Sequence, residues 1–216
     1  MKNSVLLLCK TIIKETTNKM ENHIITLAGN PGSGKSKSGK GVASQIGFTH
    51  TSSGDFARAF GIKHGMSIEE IGFAAENNPA LQYDESVDAW VRSHADKENL
   101  VIDSRLGFHW LPNSFKVYLY IDPKIAAQRM FDDLKTNEHR RKSEHFETIE
   151  EMEASIVRRF ESDKKRYAEK YGIDYSDLSK FNLVINTGLP ENSIEVVVAK
   201  IIAGYKAWLQ EQKQFS

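Results

Sequence analysis

Short apolar runs alternate with stretches of helical periodicity along most of the chain. His23-Ile24-Ile25-Thr26-Leu27 reads as a buried strand, and the segment from Ser36 to Ile46 reads as a helix stopped at Gly47. Phe48 to Thr51, Asn99 to Asp103, Phe115 to Ile121 and Phe181 to Ile185 have the composition of four further strands. Between them, Lys124 to Leu134, Ile149 to Tyr171 and Pro190 to about Leu209 have helical patterning. Pro123 precedes the first of these, Gly172 follows the second and Pro190 opens the third. Ser67-Ile68-Glu69-Glu70 has the form of a capping box for a short helix to about Ala75, and Val87, Trp90, Val91 and His94 mark one face of the next. Strands alternating with helices imply three α/β layers around a mostly parallel, five-stranded sheet.

At 216 residues the chain has room for one such domain with a sizeable core. Its 29 basic and 29 acidic residues balance, which argues against a broad nucleic-acid-binding face. The one cysteine, Cys9, excludes a disulfide framework and fits a reducing, cytoplasmic setting. The apolar run Val5 to Cys9 is too short for a signal-peptide core, and a second methionine, Met20, stands directly before the first strand. Residues 1–19 therefore read as an extension, with 20–216 as the domain. No membrane association is expected, and a monomer is.

The chemistry begins at the turn after the first strand. Gly29-Asn30-Pro31-Gly32-Ser33-Gly34-Lys35-Ser36 is the nucleotide P-loop pattern, in which glycines let successive backbone N–H groups converge on a phosphate chain. Lys35 supplies a charge near the β- and γ-phosphates, the Ser36 hydroxyl is placed to ligate magnesium, and the helix dipole points at the same anion. Two acids end strands where a metal-side aspartate would stand, Asp103 and Asp122. Asp122 precedes Pro123 and is a natural N-cap, which leaves Asp103 to meet the magnesium through water. Arg159 and Arg166 fall on the packed face of the helix from Ile149 while Arg158 points away, and an inward arginine needs an anion.

The conjunction of this P-loop with Ser53-Gly54-Asp55-Phe56-Ala57-Arg58, with Val101-Ile102-Asp103-Ser104-Arg105 and with the run Asp163 to Asp174 resembles the nucleoside monophosphate kinases of the adenylate kinase-like branch. Within that branch the resemblance is to the compact archaeal-type cytidylate kinases, from Ile24 to the end of the chain. It implies a P-loop fold with an inserted pair of monophosphate-binding helices at about 54–98 and a short lid at about 132–151, where the chain turns polar. It also implies ATP-dependent phosphorylation of CMP or dCMP with magnesium. Ser53, Gly54 and Arg58 would hold the acceptor phosphate, with Arg105 as a second clamp, and Arg129, Arg159 and Arg140 or Arg141 would close around the transferred group. Asp88 would either contact the acceptor base or face solvent. Lys37 stands where the family commonly has Thr beside the α-phosphate, and Ser104 where it has Gly.

A monophosphate acceptor is already ionised near neutral pH, so the absence of a His–Asp pair or a nucleophilic cysteine agrees with this chemistry. Two other readings compete. One is a P-loop kinase for another acceptor, such as AMP or a metabolite hydroxyl, with Asp55 or Asp103 as base. The other is an ATP-gated binding protein without catalysis. The scattered histidines His50, His64, His94 and His109 lack metal-ligand spacing and read as surface or hydrogen-bonded residues.

Overall fold

The computed structural model describes residues 23–136 and 146–214. The N-terminal extension, Arg140 and Arg141 lie outside them. Five strands form one parallel sheet in the order β2-β3-β1-β4-β5: β1 (Ile24–Gly29), β2 (Thr49–Ser52), β3 (Leu100–Asp103), β4 (Phe115–Tyr120) and β5 (Leu183–Asn186). The helices are α1 (Lys35–Ile46), α2 (Ser53–His64), α3 (Ile68–Asn77), α4 (Tyr83–Arg92), α5 (Gly107–Trp110), α6 (Pro123–Thr136), α7 (Ile149–Tyr171) and α8 (Ile194–Gln214).

β1 is buried along its whole length, as a central strand covered on both faces must be. Ile25 and Leu27 project to one side, where they join Val42 of α1 and Val197, Ile201 and Tyr205 of α8. On the other side Ala28 meets Leu106, Tyr118, Tyr167 and Tyr175, bringing α5 and the end of α7 against the sheet. Alternation along each strand thus builds the two outer layers. Gly41 lets α1 approach α8, since a Cβ there would lie 2.7 Å from Val198.

Three boundaries differ from the sequence reading. Ser53–His64, which carries no strong apolar stripe, is a full helix: Ser52 caps it by accepting from Gly54 N at 3.1 Å, and Gly65 ends it in the left-handed region. α8 begins at Ile194 rather than Pro190, because Asn192 and Ser193 hold the preceding turn; Ser193 Oγ accepts from Val196 N and the Asn192 amide donates to Asn186 O. Helix α6 runs on to Thr136, two residues past its expected end at Leu134. Asp122 accepts from Lys124 N at 2.9 Å at the start of that helix.

His50 sits on β2 under α1, where a Cβ on Gly39 would come within 2.7 Å of its ring. Its Nε2 is buried with no hydrogen-bond partner among the described residues. Burial lowers its pKa, and Lys40 adds to that against the opposing Asp103 and Asp55. A depressed imidazole pKa means that the unfolded chain binds the proton more readily than the folded one, so this group costs stability as pH falls below about 6.5, the ordinary histidine value. Denaturant midpoints measured between pH 7.5 and 5 should decline, and His50→Gln should flatten that decline.

Candidate functional site

The P-loop is positioned by a close approach between strands. Gly29 has φ 138°, and a Cβ on it would lie 2.0 Å from the carbonyl oxygen of Leu119 on β4. Only glycine fits there, and the chain leaves β1 directly into the turn. Gly32 and Gly34 follow with φ 77° and 83°. The Ser33 hydroxyl is buried and donates to Asn30 O at 2.8 Å, while Lys35 Nζ donates to Gly29 O at 2.9 Å and Asn30 O at 2.8 Å. These bonds curl the loop so that α1 starts beneath it.

A single cavity of about 860 Å³ opens in front of this loop. Pro31, Gly32, Gly34, Lys35, Ser36 and Lys37 line it, whereas Gly29, Asn30 and Ser33 shape the loop from behind. Ser53, Gly54, Arg58, Asp88, Asp103, Arg105, Arg129 and Arg159 line the same cavity, so the described residues singled out in the sequence converge on it apart from those three.

Asp103 stands at the junction. One of its carboxylate oxygens accepts from Ser36 Oγ at 2.6 Å and from Ser52 Oγ at 3.2 Å. Ser53 and Gly54 occupy the first turn of α2, whose positive end therefore faces the cavity beside Arg58. Arg58 pairs with Asp55, one helical turn earlier. Arg105 Nε lies 2.7 Å from Asp163 Oδ2. Burial opposes the Arg105 charge most strongly, but the Asp163 carboxylate together with Tyr167, Tyr175 and Tyr83 outweighs it and raises the pKa above the ordinary guanidinium value. Arg159 is half-buried on α7 and Arg129 is exposed on α6 at the rim. Lys37, 70 % exposed, points its ammonium at Asp133 of α6, 3.1 Å away.

Two readings change. Asp88 does not face solvent: it is 4 % exposed and accepts from Trp110 Nε1 at 2.8 Å and from the Tyr171 hydroxyl. The anions that Arg166 requires come from the protein itself, Asp84 at 2.7 Å and Asp163 at 2.8 Å. For Asp84 burial outweighs the Arg166 charge and leaves its pKa raised. Ser52, Tyr83, Asp84 and Asp163 were not singled out as site residues. Asp163 stands three residues before an inward arginine, a spacing that could have flagged it. Asp84 lies 82 residues from its partner and offers no local signal.

The arrangement gives two anion-binding stations, the P-loop with Lys35 and the α2 terminus with Arg58 and Arg105, joined at Asp103. That geometry suits transfer of a phosphoryl group between two bound anions.

A family model described as "AAA domain" matches residues 25–158. The chain is 33 % identical over 165 residues to the cytidylate kinase of Methanothrix thermoacetophila, a match that spans 76 % of this chain and 88 % of that one. It is also 33 % identical over 165 residues to an S-adenosylmethionine-dependent nucleotide dehydratase of Lacinutrix mariniflava. That match spans 76 % of this chain and about a third, 32 %, of the relative's length. Among solved structures, shikimate kinase from Bacteroides thetaiotaomicron aligns with TM-score 0.55 at 18 % identity, covering 83 % of this chain and 96 % of that one, a likeness of fold.

Arg166, with a side chain 10 % exposed, is paired to an Asp84 that is 5 % exposed, and its loss strands two buried carboxylates. Arg166→Ala should lower unfolding free energy by about 3–5 kcal/mol in a denaturant titration, the range for breaking a buried pair from one side. At the acceptor station, Arg58→Ala should weaken binding of a monophosphate while leaving ATP binding intact, as read by calorimetry with each nucleotide.

Proposed function

The chain belongs to the nucleoside monophosphate kinase family, on the side of its archaeal cytidylate kinases, and from that membership we propose that it transfers the γ-phosphoryl group of ATP to the phosphate of CMP or dCMP. The observation that carries this reading is the single cavity in which the P-loop and the arginines Arg58, Arg105 and Arg159 face one another across Asp103. The nucleotide dehydratase relative is, by its name, another nucleotide-handling protein.

In this reading the P-loop N–H groups and Lys35 hold the β- and γ-phosphates of ATP, and the start of α2 with Arg58 and Arg105 holds the acceptor phosphate. The acceptor oxygen is already ionised, since a phosphate monoester has its second pKa near 6, so no side chain has to remove a proton. What remains is to hold two anions in line and offset the charge that moves between them. Arg159 and Arg129 serve that purpose, because a guanidinium stays charged and grips phosphate oxygens two at a time. Ser36 Oγ and Asp103 Oδ2 lie 2.6 Å apart beside the phosphate station and form a hard-oxygen pair suited to magnesium. Ser36 would hold the ion directly and Asp103 through water. When bound, magnesium would neutralise phosphate charge. Lys37, turned toward Asp133, would attract the phosphate chain from the rim rather than bond the α-phosphate as a threonine hydroxyl would.

A hydroxyl acceptor would need a base at the acceptor station. Asp55 is engaged by Arg58, and Asp103 by two hydroxyls, so neither is placed as the better candidate.

The deciding experiment is ADP release from Mg-ATP with CMP, dCMP, UMP, AMP, GMP or no acceptor. Selective turnover with CMP or dCMP is expected; turnover with AMP alone, or equal rates with and without acceptor, would overturn the assignment. Lys35→Ala should keep its thermal midpoint and lose most turnover. Arg159→Ala should lose on the order of 10³-fold in kcat if it acts as phosphoryl-transfer arginines do. The rate at subsaturating acceptor should fall as pH drops below about 6, where the attacking phosphate gains a proton.

A further inference from the structure

A second cavity of about 220 Å³ lies behind the acceptor end of the main one. Three residues border both: Tyr83, Asp84 and Arg166. Asp84 and Arg166 are locked together at 2.7 Å, and Arg166 is braced further by Asp163 and by Ser162 Oγ at 3.1 Å. They cannot part without exposing buried charges to one another's loss. Tyr83 is the uncharged member of this wall. It opens α4, its ring stands edge-on to Phe60 of α2 at 5.2 Å between centroids, and Phe60 is itself stacked on His64 at 4.3 Å. Gln82, directly before it, takes a left-handed φ of 48°, which turns the chain so that the phenol enters the protein. Burial pushes its pKa up to about 12, so it stays neutral at any working pH.

Resting on the reading above, we propose that Tyr83 is the specificity-determining end wall of the acceptor base pocket, admitting a single-ring pyrimidine and refusing a fused-ring purine. With the acceptor phosphate fixed at Arg58 and Arg105, the base would extend toward Tyr83, Val87 and Asp88, which line the same cavity. A second ring fused to the base has to occupy the volume of the Tyr83 side chain. Space for that ring lies on the far side of Tyr83, in the cavity that Ala75, Asn78 and Gln82 also border. Shortening the side chain joins the two cavities, whereas neither charged neighbour can be shortened without collapsing the ion pair that holds α4 to α7.

The test compares kcat/KM for CMP, AMP and GMP in wild type, Tyr83→Ala and Tyr83→Phe. Tyr83→Ala should narrow the ratio of CMP to purine acceptors by about tenfold or more, chiefly through a lower KM for AMP or GMP, in the range typical of steric discrimination in a pocket. Tyr83→Phe keeps the ring and should keep the ratio. If loss of the Phe60 contact leaves Tyr83→Ala unfolded in a thermal scan, Tyr83→Leu is compared in the same way. A folded variant that loses activity equally on every acceptor, or a wild type that uses AMP as well as CMP, overturns the wall. A wild type selective for CMP whose ratio is unmoved in the variants overturns the wall alone. A wild type that phosphorylates no monophosphate overturns the kinase reading and the wall with it.

Discussion

One carboxylate holds the two halves of this site together. Asp103 ends β3, and β3 lies between β1 and β2 in the sheet, in register with Leu27 on one side and Ser52 on the other. Leu27 stands two residues before the P-loop glycine, and Ser52 caps the helix that presents the acceptor station. The hydroxyls of Ser36 and Ser52 therefore reach the same oxygen from opposite directions. Backbone pairing sets the distance between the P-loop and the start of α2, so it does not depend on flexible side chains, and alignment of two groups is worth most when it is fixed in advance.

α7 supplies the other constraint. Arg159, Asp163, Arg166 and Lys170 recur on one face of that helix, at spacings of four, three and four residues. Arg159 faces the cavity, Asp163 holds Arg105, Arg166 holds Asp84, and Lys170 holds Glu85. Nearer the start of the helix, Ser155 donates to Glu69 of α3 at 2.5 Å. The helices inserted between β2 and β3 are thus tied to the helix that brings Arg159 to the cavity. Buried ion pairs contribute little net stability once desolvation is counted, so this network is better understood as fixing orientation. It determines how α4, and with it Tyr83 and Asp88, sits against the acceptor end.

The parts legible in the sequence are those with local causes. A glycine that cannot carry a Cβ, a lysine and serine at P-loop spacing, and apolar runs bounded by turns each act over a few residues, and the five strands and the P-loop turn follow from them. α2 gives no clear helical signal in the sequence because its apolar positions, Phe56, Ala57, Phe60 and Ile62, form no regular stripe and Gly61 stands among them. Gly61 is required by the next turn rather than by the helix, since a Cβ there would lie 2.5 Å from Met66 O. Asp88 admits two readings in the sequence because nothing near it shows that it is buried. Its partners, Trp110 and Tyr171, lie 22 and 83 residues away. Periodicity reports which face of a helix is apolar; it cannot report a polar group buried by distant donors.

The same distant pairings bear on how the arginines work. Several cations that line the cavity keep an acidic neighbour: Arg58 has Asp55, Arg105 has Asp163, and at the rim Lys37 has Asp133. Without those acids, several positive charges would crowd one concave surface and repel one another. With them, the guanidinium planes are already oriented, so an arriving phosphate spends less on ordering side chains. A phosphate dianion brings nearly two charges and three acceptor oxygens where a carboxylate brings one charge and two, so it competes successfully for the same donors. A neutral or singly charged ligand does not. In the proposed reaction the carboxylates beside the arginines would thus favour a doubly charged acceptor before any base is read.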